Sequence, residues 1–285
     1  MELYEAIFYR KSIRNFSIDK LKEPLMKEVK DICANLDYLN KDLNIKAHVV
    51  ERGHLIHFLL GKECKIKAPH YIVVTSDEGE DYLENIGFAT EKVVLQLTTL
   101  GLATCWIESN LKKEDIEEFI DFKGERGADF YEMDLLYNES DELKEKEEQP
   151  YIIIAFGFAG KNEDLFRSRK ARPNRVQVKD ISKKVERKWN STLELVRRAP
   201  SVKNAQPWFF YGDDRGLNMY ENKPKRGTEK MNKVSMGVAL RHFDIGCAKY
   251  GLEVRYIKKK VKRRRGKEYF ISIEYIPKEE PMQDL

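Results

Sequence analysis

A chain of 285 residues with 41% apolar and 35% charged residues can bury a sizeable core, and this is not the composition of a disordered protein. Its 52 basic and 48 acidic residues leave a formal net charge of +4, a near balance that does not by itself call for nucleic acid or a membrane. No apolar run approaches a bilayer span, and the amphipathic, acidic start Met1-Glu2-Leu3-Tyr4-Glu5-Ala6-Ile7-Phe8 does not read as a signal peptide. The four cysteines (Cys33, Cys64, Cys105, Cys247) are scattered without a CxxC. They read as buried or incidental thiols, and the expected setting is a reducing cytoplasm.

Along the chain, a short N-terminal helix leads into Tyr9-Arg10-Lys11-Ser12-Ile13-Arg14-Asn15-Phe16. If this segment is extended, Arg10, Ser12 and Arg14 share one face. Two guanidiniums and a hydroxyl on one face suit a phosphate and an electron-rich ring edge. A solvated basic turn explains the same residues, and on this segment alone it is the favoured reading. His54 and His57 lie three apart on a possible helix but lack a carboxylate-rich ligand set, so no metal site is expected. A strand over His70–Thr75 precedes a helix bounded by Gly87 and Gly101, and strands follow over Ala103–Ile107 and Tyr151–Gly157. The charged stretch Ser140–Gln149 reads as a solvated loop or helix end. The basic, proline-containing stretch from Gly160 to Asp180 reads as a crossover linker.

The segment Arg198-Ala199-Pro200-Ser201-Val202-Lys203-Asn204-Ala205-Gln206-Pro207-Trp208 places amide and hydroxyl groups on a stiff frame before an apolar strand. Such a loop suits a polar heteroaromatic or sugar-alcohol ligand. An ordinary helix-to-strand turn accounts for its proline and asparagine, though not for the whole run. A strand over Gly216–Tyr220, a helix bounded by Gly237 and Gly251, and strands over Glu253–Ile257 and Tyr269–Ile276 complete the chain. The basic run Lys258 to Lys267 joins the last two strands. Its better reading is a hairpin with solvated charges, not a nucleic-acid site.

The pattern Gly87-Phe88-Ala89 through Leu100-Gly101-Leu102 returns 150 positions later as Gly237-Val238-Ala239 through Tyr250-Gly251-Leu252. Chance recurrence has even odds for the helix alone, and the matching order of strands around it favours a true repeat. The expected fold class is therefore α+β, with two pseudo-symmetric repeats carrying small mixed sheets. Residues 1–160 form the first repeat, 161–180 the linker and 181–285 the second. The two Gly-bounded helices should pack on each other, with close approach through Ala89, Ala239, Gly246 and Ala248. No GxGxxG or P-loop is present, so dinucleotide-binding Rossmann and NTPase readings have no support.

Three motifs together resemble the signatures of the nitroreductase family. They are Arg10-Lys11-Ser12-Ile13-Arg14, then Ala199-Pro200-Ser201-x-x-Asn204-x-Gln206-Pro207-Trp208, and Leu100-Gly101-Leu102-Ala103-Thr104-Cys105-Trp106-Ile107. The order departs from the family, in which Pro-Ser-x-x-Asn precedes Gly-Leu. Here it comes last, and the matching region of the first repeat, roughly Asn35 to Val50, lacks it. The chain is similar to a branch in which one polypeptide mimics the usual homodimer, so that its halves build one complete FMN site and one broken one.

The resemblance implies site residues as well. Arg10 and Ser12 would hold the phosphate end and Arg14 the pyrimidine edge beside Lys65, with Lys11 also among the cofactor-binding residues. Lys170 and Arg172 would grip the phosphate, with Arg167 and Arg169 as rivals in register. Pro200, Ser201, Val202 and Asn204 would line the ring and ribityl chain, and the backbone at Ile107, Glu108 and Ser109 would approach flavin N5. No side chain need act as a strong acid or base, because the flavin carries the chemistry; a cation such as Arg14 would stabilise its anionic reduced form. The implied activity is an FMN-dependent NAD(P)H oxidoreductase acting on a nitroaromatic, quinone or similar small molecule. The alternative is an FMN-binding sensor with little turnover. No nucleic-acid or membrane partner is implied, and a monomer suffices.

Overall fold

The computed structural model describes residues 1–118, 120, 148–168 and 170–277. The charged stretch that begins at Ser140 lies outside the described residues as far as position 147. Helices α1 (Leu3–Tyr9) and α2 (Glu23–Ala34) precede β1 (Lys46–Val50), α3 (Gly53–Leu60) and β2 (His70–Ser76). Helix α4 (Tyr82–Thr99), β3 (Ala103–Glu108), α5 (Lys113–Ile116) and β4 (Gln149–Gly157) follow. Then come α6 (Val178–Ile181), β5 (Ser182–Lys183), α7 (Asn190–Val196), β6 (Trp208–Asp213) and β7 (Gly216–Asn222). Helix α8 (Glu229–Tyr250), β8 (Glu253–Ile257) and β9 (Lys267–Ile276) end the described chain.

The strands form two sheets, ordered β1-β2-β4-β3 and β5-β6-β7-β9-β8. Apart from the short parallel β5, every pairing is antiparallel. Without β5, both sheets run first, second, fourth, third, and each sends a long helix from its second strand to its third. The internal repeat is thus visible as topology. Strand β2, His-Tyr-Ile-Val-Val-Thr-Ser, is buried at every position, as a β-branched run covered on both faces should be. Strand β6 alternates buried and half-buried residues because only one face reaches the core.

The core runs from one sheet to the other through α4 and α8. Their contact is backbone to backbone. A Cβ on Gly87 would sit 2.0 Å from the Val234 carbonyl oxygen, and one on Gly237 would sit 1.7 Å from that of Glu84. These contacts are mates under the 150-residue offset, so the helices cross on a pseudo-twofold axis. Both helices also begin before their glycines, at Tyr82 and Glu229, because the glycines serve the crossing and not the N-terminus.

The helix ends repeat as well. Leu102 N–H donates to Leu97 O at 3.0 Å and Leu252 N–H to Cys247 O at 2.9 Å. Gly101 and Gly251 lie at φ +78° and +65°, the left-handed geometry that closes a helix. Two of the small residues expected at the crossing are elsewhere. Gly246 lies roughly 14 Å along α8 from Gly237 and faces Thr192 on α7, while Ala248 is exposed.

Near the crossing, Lys233 on α8 pairs with Glu84 at 3.3 Å and Glu268 at 3.4 Å. Glu221 on β7 is buried beside them, and one of its oxygens has no hydrogen-bond partner among the described residues. Burial holds its carboxyl up at about 7, against the pull of Lys233. A carboxyl raised in the folded state costs nothing below its unfolded value near 4.5. It costs stability as pH rises towards 7 and stays costly above. Glu221→Gln should therefore leave stability unchanged at pH 4 and raise it by about 1 kcal/mol at pH 8, read by denaturant unfolding at both values. Gly237→Ala should cost about 3 kcal/mol at either pH, since its methyl meets a carbonyl that neither helix can move alone.

Candidate functional site

Helix α1 packs across both repeats: Ala6 and Ile7 are buried with Leu95 of α4, Leu195 of α7 and Ile245 of α8. Its last residue, Tyr9, therefore delivers Arg10 to the seam between the repeats. The chain then runs extended along the free edge of β3. Ser12 bridges Thr104, and Ile13 N–H donates to Thr104 O at 3.0 Å. Lys11 turns away to pair with Glu163 at 3.0 Å. Arg14 is exposed, whereas Arg10 is only 4% exposed. Both arginines act on the thiol of Cys105, which burial pushes up and their charges pull back.

Behind Arg10 lies a buried carboxylate that joins the repeats. Glu91 Oε1 is 3.8 Å from Arg10 Nε and 2.8 Å from His242 Nε2, and Oε2 accepts from Trp106 Nε1 at 3.2 Å. His242 is itself anchored through Nδ1 to Leu195 O at 3.0 Å. His242 is thus a buried contact between the repeats.

The second repeat supplies the loop from Ala199 to Gln206. Lys203, Asn204 and Gln206 adopt φ of +46°, +56° and +48°. Non-glycine residues in this region carry roughly 1–3 kcal/mol of strain each. Side-chain bonds hold them there. Gln206 N–H donates to Ser201 Oγ at 2.9 Å, and Val202 N–H donates to Ser235 Oγ on α8 at 3.3 Å. Gln206 Oε1 accepts from Val176 N–H at 3.0 Å, and Asn204 Nδ2 donates to Asn174 O at 3.0 Å. The loop and the linker therefore form one unit.

Arginines connect that unit to Arg10. Arg167 N–H donates to Tyr9 O at 2.7 Å, and its Nη2 to Arg10 O at 3.2 Å. Arg175 Nη1 donates to Asn204 Oδ1. Arg198 stands over the Phe8 ring, 5.5 Å from its centre. Burial, then the charges of Arg10, Arg167, Arg198 and Arg197, lower Arg175 to about 10. Arg167 is lowered by burial and then by Arg10 and Arg198. Among the described residues, Arg10 Nε and Nη1, Arg175 Nε and Arg198 Nε find no acceptor although they are buried. Such a cluster can do one thing well, which is to bind an anion.

The other sequence-derived candidates are placed as follows. Ile107 is buried and Glu108 exposed at the end of β3, and Ser109 Oγ accepts from Leu111 N–H at 3.0 Å. Pro200, Ser201, Val202 and Asn204 are half-buried. Lys65 is exposed, with Nζ donating to Lys62 O at 2.9 Å. Lys170 and Arg172 are exposed, and the guanidiniums that cluster with Arg10 are those of Arg167, Arg175 and Arg198. Arg169 lies outside the described residues. Arg175 and Glu91 carried no motif. Arg198 stood beside Pro-Ser, but no spacing rule aims it at a residue 188 positions earlier.

A family model described as "Putative TM nitroreductase" matches residues 2–125 and 135–247. The chain belongs to this nitroreductase family. A solved putative nitroreductase from Thermotoga maritima MSB8 is similar over 94% of this chain and 92% of its own, with 20% identity and a TM-score of 0.55. A putative NADH oxidase from Clostridium acetobutylicum covers 61% of this chain with 100% of its own, at 18% identity and a TM-score of 0.39. An FMN-dependent nitroreductase from Clostridium difficile R20291 covers 60% with 98% of its own, at 17% identity and a TM-score of 0.41. No curated protein matches the chain. No described helix of this nitroreductase-family chain is long and apolar enough to cross a membrane.

Because the Gln206 side chain holds Val176 of the linker beside the Asn204 contacts, Gln206→Ala should cost about 1–3 kcal/mol. Amide exchange at Val176 should accelerate, while Ser12–Thr104 pairing keeps the Ile13 amide protected.

Proposed function

We propose that this chain is an FMN-dependent NAD(P)H oxidoreductase, with one flavin held between its two repeats. The reading rests on one observation above all. Arg175 bonds Asn204 of the second repeat and lies close enough to Arg10 of the first for their charges to repel, within a cluster of buried guanidinium N–H groups that lack acceptors among the described residues. The terminal phosphate of FMN offers the charge and the oxygens those donors require, so the residues fit the group. When bound, FMN supplies hydride chemistry between reduced nicotinamide and an acceptor such as a nitroaromatic or quinone.

The chain's own residues bind and tune. Arg10, backed by Glu91, takes the phosphate end. Exposed Arg14 on the β3 edge faces the pyrimidine edge, and Lys65 lies on the turn before β2. Pro200, Ser201, Val202 and Asn204 form a stiff wall from the second repeat, since their loop is pinned to α8 and to the linker. The repeats, residues 1–160 and 181–285 joined by 161–180, therefore complete the site without a second chain, and a monomer is active.

Purified protein should show oxidised-flavin absorption bands that NADH or NADPH bleaches, with one flavin per chain. A colourless protein that FMN does not restore, or two flavins per chain, would refute the proposal. Arg10→Ala should weaken FMN binding by about 1.5–3 kcal/mol. Arg14→Ala should instead lower the flavin's reduction potential, measured by dye equilibration.

A further inference from the structure

The run from Lys258 to Lys267 carries eight cations in ten residues. A run so charged should repel itself and stand away from the protein. It does the reverse. Leaving β8, it crosses the outer face of the second sheet, over β9 and β7 to β6. Lys259 N–H donates to Tyr269 Oη at 3.2 Å, Tyr220 Oη donates to Lys262 O at 3.3 Å, and Lys267 N–H donates to Arg264 O at 3.2 Å. The Arg264 guanidinium lies on the Tyr211 ring, 3.2 Å from its centre. This face is turned away from α8, against whose Phe243 the alternate residue Phe210 stacks. Tyr220 pairs with Phe209 and Tyr269 on the outer face, yet it is buried beneath the strap.

The cations of this strap divide into two sets. Lys258 is engaged by Asp81, Lys259 by Asp213 at 3.2 Å, and Lys267 by Asn222 and the Phe209 ring. Lys260, Lys262, Arg263 and Arg265 are exposed and have no ion pair among the described residues. A second loop, residues 223–227, is tied to the strap by Lys223 N–H donating to Gly266 O at 3.1 Å. It adds Lys223, Lys225 and Arg226, all exposed. Glu268, the next carboxylate along β9, is turned to Lys233 at 3.4 Å. The whole chain carries +4, so without these seven cations the rest of the molecule stands at −3. The positive charge is collected in one place.

We propose that the strap and the 223–227 loop form a binding surface for the phosphate backbone of a nucleic acid, held without regard to base sequence. Regularly repeated anions match several cations fixed side by side on a rigid sheet. Because the strap is already fastened, binding does not bear the full cost of ordering it. The rings of Tyr211 and Phe209 are covered by Arg264 and Lys267, so they are not open to stack bases, and contact falls on phosphates. No large apolar side chain is exposed in either segment, so neither has a group to insert into a lipid surface. This surface shares no residue with those proposed to hold the flavin.

The full-length protein is titrated against a fluorescein-labelled DNA duplex of about 30 base pairs and one of its strands, by anisotropy, from about 50 to about 300 mM KCl. Wild type should bind both, with a log–log salt slope of at least about 4 in magnitude on the duplex. Lys262→Gln, Arg263→Gln and Arg265→Gln together should reduce that slope by about 2–3 and weaken binding at least about tenfold at low salt. Removing as many charges at and before α2, with Lys20→Gln, Lys22→Gln and Lys27→Gln, should leave affinity within about twofold. Lys225→Gln with Arg226→Gln reads the second loop independently and should lower the slope by about 1–2. If the strap variant melts below wild type, this second variant decides. A wild-type chain that binds neither nucleic acid at low salt overturns the proposal, as do equal losses in the strap and control variants. An unchanged slope in both the strap and second-loop variants also overturns it. Preference for vesicles of phosphatidylserine and phosphatidylcholine, or for poly-glutamate, over the nucleic acid would overturn it and assign the surface to a lipid or an acidic peptide.

Discussion

Backbone contact between α4 and α8 at Gly87 and Gly237 determines how the two sheets face each other. No side chain can stand between the helices there, so the spacing is set by main-chain atoms and tolerates little drift. The core extends from that crossing into both sheets, and the groove it creates takes up α1. Arg10 reaches the seam only because α1 is seated on α4, α7 and α8 together. The loop before β6 is likewise pinned to α8 through Ser235. Both halves of the candidate site are thus referenced to one pair of helices.

Much of the fold was legible because its signals are local. Strands β2, β3, β4, β7, β8 and β9 lay where apolar runs and glycines placed them, within two residues at each end. The repeat was legible because Gly87 and Gly237 return at one offset, although the sequence gives no hint that they mark a crossing and not a helix start. Strand β1 was missed. Lys46-Ala47-His48-Val49-Val50 has little alternation, and its polar residues are held by partners remote in sequence, with Lys46 and His48 both bonded to Glu148. Short α6 and β5 carry too few residues to form a pattern.

The site was legible to the extent that its residues sit in motifs. Arg10 and Asn204 could each be picked out, but nothing local links positions 194 residues apart. Arg175 bonds Asn204 and lies near Arg10, and it sits in a linker whose basic character resembles ordinary solvation. The closeness of four arginines is a tertiary fact: their charges belong to α1, the linker and α7, and only packing reveals that they repel one another. Glu91 was hidden for the opposite reason. A helical glutamate followed by a lysine reads as surface, yet this one is fully buried because His242 and Trp106 supply its donors.

The asymmetry between the repeats then has a physical meaning. A duplicated fold begins with two equivalent seams, and each must satisfy whatever charge it buries. On the Arg241 side Asp37 and Asp244 complete the shell, and Tyr256 donates its hydroxyl to Asp244 at 3.0 Å. That seam is closed by the protein's own groups, so it gains nothing from a ligand. On the Arg10 side the chain retains like charges, donors without acceptors, and a loop with three residues in left-handed geometry. Each of these raises the energy of the ligand-free protein, and unpaired buried donors are the costliest kind. Strain of this sort persists where surrounding structure over-determines it, and here the over-determination comes from the glycine crossing. On the Arg10 side buried guanidinium N–H groups are left without acceptors among the described residues, whereas the Arg241 side is closed by Asp37 and Asp244.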